Sequence, residues 1–467
     1  MAISLLNQFV QPRTRFQVLL DQYQYLLSIV ATFLFFSHLP DYLYTAPIIP
    51  VPPLAWIGLL FVLSLPFIKK AANIPKPLLA WMIFYLMISM LSLMTVSGDE
   101  LSFTDFRAKA LSVLFIVLMY VLYQQKSVLH IKYTIVFVVI LSTINNLMEL
   151  LSPKLFSDLN VGRPAGFYID PNQSGCAILL GMLFGITVIK KQYRWMLILV
   201  AGVGIMTTFS RGAILGWLIS TIIMIFGRKL SDRRRKILVP AILLIIFLVS
   251  INPLRLLSDY FKGDPTGANW DIVNRLEEFQ NPTETAKEDS AASRQAVAAG
   301  AMVLFSNHPF WGNGLASTRK WMVADISTHN MYLYYMADNG ILGILFLPGA
   351  IFAVVYRNKG ENGTILTCFA VFITLWGLFS HEVLAERYTL ASFALVAAMN
   401  TNERWHLKHD RSNAPINQRL SRSQRLLPPA RNQRASQLLL PPGRTKQEAQ
   451  RLLPPARNQN FLPPDGN

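Results

Sequence analysis

The sequence predicts an all-α, polytopic membrane protein, and three observations carry that prediction. Hydrophobic residues make up 52% of the 467-residue chain and charged residues only 15%, with a mean hydropathy of +0.37. So little polar surface would not cover the core of a soluble protein of this length. Apolar runs long enough to cross roughly 30 Å of hydrocarbon start near Leu26, Pro47, Leu78, Ala110, Ile131, Ser174, Trp195, Gly212, Ile237, His329, Thr364 and Tyr388. Lysine and arginine alternate strongly between successive turns, as the orientation rule for membrane proteins requires.

The twelve runs give twelve expected crossings. The segment before the first run carries Gln8, Gln11, Arg13, Arg15 and Asp21 and no small-residue cleavage site, so the first helix is expected to be retained. With the N-terminus inside, the short inner segments hold 18 Lys and Arg and the short outer ones 6. Both termini then lie on the cytoplasmic side. One outer loop stands out by length, residues 252–328 between the ninth and tenth crossings, with seven Lys or Arg against nine Asp or Glu. Its lack of net positive charge leaves it free to be translocated to the periplasmic face.

The expected domain organisation is a membrane domain over residues 1–400 and a tail over 401–467. The tail contains RLLPPARNQ twice, at 425–433 and 451–459, and twelve Lys or Arg against four acids. Proline pairs at that spacing interrupt helix and sheet, so the tail reads as a disordered basic segment. The formal charge of +17 sits in inner turns and tail, which points to topology and anionic lipid rather than nucleic acid. Cys176 and Cys368 both lie in apolar runs, so neither a disulfide framework nor a metal knuckle is available.

Four short patterns concentrate the chemistry: GRPAGFYIDPN at 162–172, FSRGA at 209–213, SRQAVAAGAMVLFSNHPFWGNG at 293–314 and THNMYLYYMADNGILG at 328–343. In this order, and with a long outer loop before the last, they resemble the O-antigen ligase and Wzy-type polymerase superfamily. The resemblance covers about 162–379, with only general helical character before it and none in the tail. It implies transfer of a glycan from an undecaprenyl-diphosphate carrier, at the periplasmic face of the bacterial inner membrane. The acceptor is a sugar hydroxyl, on the lipid A core for a ligase or on the next lipid-linked repeat unit for a polymerase. The motif set leans towards the ligase. Metal-independent, inverting transfer is expected, and no cofactor, because the outer loops lack Asp-x-Asp and the chain lacks a Walker motif.

Such chemistry needs cations on a leaving diphosphate and a base on the acceptor hydroxyl. Arg211 follows Ser210, a candidate N-cap, so guanidinium and first-turn amides can meet one anion; the alternative is a snorkelling anchor. Arg294 opens an amphipathic segment in which Val297, Ala301, Met302 and Phe305 share a face, and it matches the family's second diphosphate arginine; a solvated surface charge is the alternative. His329 matches the family histidine before the helix that follows the long loop, against an interfacial capping role. Substrate-binding candidates are Asn330; Arg163, balanced against a brace to Asp158 or Asp170; and Arg387, with His381, Glu382 and Glu386 in an outer turn that also reads as ordinary polar surface. His308, in His-Pro before Gly312 and Gly314, reads as a turn residue. A flippase or other transporter is the non-enzyme alternative. Its polar groups near the midplane would be Glu149, Asn145 and Asn146.

Overall fold

The structure, a computed structural model, describes residues 14–96, 99–125, 127–152, 155–156, 163–227, 289–321, 328–356 and 362–413, with the side chains of 289–294 and 402–413 left out. The chain divides into two compact units, 1–405 and 406–467; the helices described below belong to the first, apart from the last turns of the final helix. No strand occurs among the described residues.

Helix α1 (Arg15–Phe36) opens on a capping box, in which the Thr14 hydroxyl accepts from the Gln17 N–H and the Gln17 side chain accepts from the Thr14 N–H. A short α2 (Leu39–Thr45) leads to α3 (Pro53–Ser64), which tightens into a 3-10 turn over Leu65–Asn73. Pro77 sits in the first turn of α4 (Lys76–Met94), where its missing N–H costs nothing. Asp99 caps α5 (Glu100–Tyr123), accepting from the Ser102 N–H at 2.7 Å. After α6 (Leu129–Leu151), α7 (Pro171–Gly185) starts with Asp170 as cap and Pro171 at its first position. Then come α8 (Arg194–Thr207), α9 (Arg211–Phe226), α10 (Asp289–Asn307) and α11 (Ser317–Trp321). The set closes with α12 (Met331–Asn339), joined by a 3-10 turn to α13 (Phe346–Val355), then α14 (Gly363–Trp376) and α15 (Arg387–Asn413).

Six of these segments are long and apolar enough to cross a membrane: α1, α3 with its extension, α4, α5, α6, and α12 through α13. The chain is therefore an all-helical membrane protein. Of the twelve expected starts, eleven fall on or beside a described helix; the ninth, at Ile237, lies outside the described residues, as does 252–288 of the long loop. Outward faces of α1, α3 and α4 carry exposed Leu19, Leu59, Val62, Ile83 and Met90, the composition lipid requires. By contrast α7 is buried at every residue from Ser174 to Gly185, and it packs on α6, α8, α9 and α14. It forms the axis on which the neighbouring helices set the site.

The motif HPFWGNG is a piece of scaffolding. The amides of Asn313 and Gly314 donate to the carbonyls of Ala337 and Asp338, and Ile341 N–H donates to Pro309 O. Gly312 and Gly340 both have positive φ, and a Cβ on either would fall about 2.4 and 2.3 Å from a backbone carbonyl oxygen across the junction. Buried Asp338 accepts from the amides of Ala316 and Thr318 and from both neighbouring hydroxyls, Ser317 and Thr318. The segment around 309–318 is thereby locked to α12, and His308 holds the turn, its carbonyl accepting from Gly312 N–H.

Candidate functional site

Three separate stretches of sequence bring side chains to one cavity of about 320 Å³: Arg163 and Asn172 from the first motif and the start of α7, Ser210 and Arg211 at the start of α9, and Thr328, His329 and Asn330 ahead of α12. Ala298 of α10 and the rings of Trp376 and Phe379 complete the wall. Four of the six residues singled out in the sequence thus line a single cavity.

Local geometry explains why. Phe209 and His329 both adopt left-handed backbone, with φ of 51° and 43°, conformations that bulky residues hold only when surroundings impose them. Each immediately precedes a helix cap and turns the chain sharply into the cavity wall. Ser210 occupies the N-cap of α9 but makes no side-chain cap bond. Its hydroxyl donates instead to Asn172 Oδ1 at 3.0 Å. The start of α9 thus carries no Ser210 side-chain cap and lies beside Arg211, an arrangement that favours an anion.

Asn330 is the N-cap of α12, its Oδ1 accepting from Leu333 N–H at 3.1 Å, so its first task is structural and His329 stands one residue outside the helix. Met331 N–H donates to Gly377 O at 2.8 Å, fixing this corner to the end of α14. Arg163 donates from Nε and Nη2 to Thr208 O, at 3.2 and 3.1 Å, and from Nη2 to Asn172 Oδ1 at 3.3 Å. It braces the C-terminal end of α8, where a cation is favoured, while still lining the cavity; Asp158, one of its expected partners, lies outside the described residues. Arg294 lies on α10 one helical turn before Ala298, and its side chain lies outside the described residues.

Arg387 goes elsewhere. Its Nη1 pairs with Asp41 Oδ1 at 2.6 Å in a buried network with His38 and Glu386, whose Oε2 lies 3.3 Å from His38 Nε2. Gln173, next to Asn172, donates to Glu386 Oε1 at 2.6 Å and so links this network to the cavity wall. Burial pushes the Glu386 carboxyl up to about 7. Burial alone would depress His38, but the hydrogen bond to Glu386 and the charges of Asp41 and Glu386 outweigh it and raise its pKa. Two of the three candidate midplane groups are committed: Glu149 accepts from the amides of Ala165 and Gly166, both at 2.7 Å, and Asn146 bonds Ser174 and Gly204 O. These contacts tie α6 to the loop and helices beside it.

A second cavity of about 500 Å³ adjoins the first, sharing Thr328 as a lining residue. Sequence reasoning singled out His381 and Glu382 in its wall but not Asp105, Lys109 or Tyr85. Asp105 and Lys109, an i,i+4 ion pair on α5, are 8% and 4% exposed, and the Tyr334 hydroxyl donates to Asp105 Oδ1 at 3.2 Å. The His381 ring packs edge-on to His329 with centroids 5.9 Å apart and lies 6.1 Å from Tyr334, so it stands between the two cavities. Burial holds the His381 imidazole below its ordinary pKa. The available signal was the i,i+4 spacing of Asp105 and Lys109 at the edge of the apolar run that starts near Ala110.

Comparison with known proteins agrees with the motif reading. Residues 195–347 match the O-antigen ligase family (Wzy_C), a segment that begins in α8 and ends in α13 and includes Arg211, Arg294, His329 and Asn330. No curated protein matches the chain.

Proposed function

We propose, for a chain that belongs to the O-antigen ligase and Wzy-type superfamily and so to cell-surface polysaccharide biosynthesis, that it moves a glycan from an undecaprenyl-diphosphate carrier onto an acceptor sugar hydroxyl at the periplasmic face of the inner membrane. The twelve-crossing topology with a periplasmic loop over 252–328 belongs to this reading. One observation carries it. Arg163, Arg211 and His329, remote in sequence, share one cavity with the uncapped start of α9.

The chemistry follows from that arrangement. The acceptor oxygen attacks the anomeric carbon of the donor glycan as the bond from that carbon to the diphosphate oxygen breaks, and the electron pair leaves with the lipid diphosphate. Arg211, with the amides that begin α9, neutralises the charge that develops there, and Arg294 is the second cation by its match to the family motif. His329 takes the hydroxyl proton; an imidazole suits this because it changes protonation near neutral pH. A single displacement inverts the anomeric centre, and neither metal nor cofactor takes part.

Substitution at Arg211 tests the assignment directly. Arg211→Ala and His329→Ala should each lower transfer about 10² to 10³-fold in membranes that contain normal amounts of the protein, while EDTA leaves the wild type unaffected. Arg211→Lys should recover little, because an ammonium cannot reproduce the planar fork. Full transfer by either alanine variant removes the proposed mechanism. A deletion strain then separates the acceptors: loss of a ligase leaves long polymer on the lipid carrier and none on the lipid A core, whereas loss of a polymerase leaves single repeat units.

A further inference from the structure

The cavity between α5, α12 and the turn before α15 has the ingredients of a saccharide site. Tyr85 and Tyr335 share a hydrogen bond between their hydroxyls at 3.0 Å and present two rings edge to face. Beside them Asp105 and Lys109 place a carboxylate and an ammonium on the wall, with Arg319 and Glu382 towards the rim. The phenol hydroxyls at the wall and the charged pairs offer acceptors and donors to the hydroxyls of a pyranose. Such groups are costly inside a membrane segment unless function retains them, and Lys109 lies about 14 Å along α5 from its start by the rise of a helix.

Charge narrows the ligand. Asp105 and Glu382 offset Lys109 and Arg319 among the described lining residues, and burial keeps His381 towards its neutral form. A cavity balanced in this way favours an uncharged sugar, since a carboxylated or phosphorylated one would leave a charge without a counterpart. The first cavity, by contrast, is lined by Arg163 and Arg211 with no carboxylate among its described lining residues. The two cavities therefore divide the work between an anion and a neutral polyol.

We propose that this second cavity holds the acceptor: an uncharged sugar unit, lodged between Tyr85, Tyr335, Asp105 and Glu382, whose free hydroxyl passes Thr328 and His381 to reach His329. The proposal rests on the transferase reading above. Its geometric basis is that the cavities share Thr328 and that His381 touches both His329 and Tyr334.

Two measurements on the full-length protein test it. In proteoliposomes supplied with donor and acceptor extracted from a deletion strain, Glu382→Gln and Tyr85→Phe should raise the acceptor KM about tenfold and leave the donor KM within about twofold. Asp105→Asn should do the same if it folds, and the rim substitution Glu382→Gln keeps the test valid if it does not. Saturation-transfer NMR on detergent-solubilised protein supplies the second arm, with the lipid-free neutral oligosaccharide released from the cell surface as probe and digalacturonate as acidic control. A signal from the neutral probe in wild type and in Arg211→Ala, lost in Glu382→Gln and absent with digalacturonate, is the expected result. Wild-type transfer with unchanged acceptor KM in the variants overturns the acceptor site and leaves the transferase reading standing. Neutral-sugar binding in a wild-type protein that transfers nothing overturns the transferase reading and retains a sugar site.

Discussion

At the scale of single residues, the quartet of buried His38 and Glu386 with half-buried Asp41 and Arg387 makes the most specific prediction. The folded state raises the pKa of Glu386 from an ordinary value of 4.5 to about 7, and it also raises that of His38 above 6.5. A group whose pKa is higher folded than unfolded stabilises the fold below its unfolded pKa, and that contribution is lost as pH rises through the folded one. Both groups act in the same direction. The melting temperature of the detergent-solubilised protein should therefore fall between about pH 5 and pH 8, and Glu386→Gln should flatten the slope. A variant as pH-sensitive as the wild type would show that other groups set the dependence. This quartet was invisible in the sequence because His38 and Glu386 are nearly 350 positions apart and neither belongs to a motif. Arg211 and His329 were legible for the opposite reason: each sits beside a cap residue at the start of a helix and inside a recognisable pattern. Arg387 was named as a substrate contact from its place in an outer turn, yet its partner is Asp41 on α2, and no sequence spacing encodes that contact.

The elements explain what the glycine-rich motifs do. Gly340 has φ 66° and ψ −161°, a region open in practice to glycine alone, and its missing Cβ makes room for the Phe310 carbonyl. Gly340→Ala should therefore cost at least about 1–3 kcal/mol from the backbone alone, and more because the carbonyl cannot yield easily. It should free the segment before α12 before it affects the spanning helices. Limited proteolysis within 308–321 is the sensitive measurement. Gly363→Ala is the internal control, since nothing lies within 4 Å of its Cβ position and its φ is not positive, and it should leave both stability and proteolysis unchanged. Equal behaviour of the two variants would mean that the junction between HPFWGNG and ADNG does not hold the loop. The runs of apolar residues, their caps and the order of the helices were readable from periodicity and from Asp, Thr and Pro at helix starts. Less readable was the short, broken character of α7, α8, α9 and α14. Of these, α7 is buried along its length among α6, α8, α9 and α14, so burial inside the bundle replaces the length that a lipid-facing helix needs.

For the whole molecule, composition and charge asymmetry made the membrane class plain, and six long apolar helices bear it out. Side of the membrane is the property on which the proposed reaction depends, because cavity and substrate headgroup must share one compartment. The His329 corner and the start of α9 line one cavity, so any segment facing the periplasm there fixes both. Reporter fusions at 270 and 325 should accordingly read as periplasmic and a fusion at 230 as cytoplasmic; the reverse pattern would place the cavity away from the lipid-linked donor.

The tail gives the complementary prediction. Residues 406–467 carry the proline-paired repeats and eleven Lys or Arg against three acids, and if both termini lie inside, as the charge asymmetry predicts, they are separated from the diphosphate by roughly 30 Å of hydrocarbon. Basic residues near an anionic leaflet contribute about 1 kcal/mol each, which can influence abundance or orientation but cannot act on a bond at the far face. A stop codon after Leu407 should therefore leave transfer in proteoliposomes within about twofold of the full chain, by the estimate that surface changes remote from a site rarely move it further. A truncated protein that inserts in normal amounts yet transfers nothing would put the tail in the same compartment as His329, and the inside placement of the C-terminus would have to be given up with it.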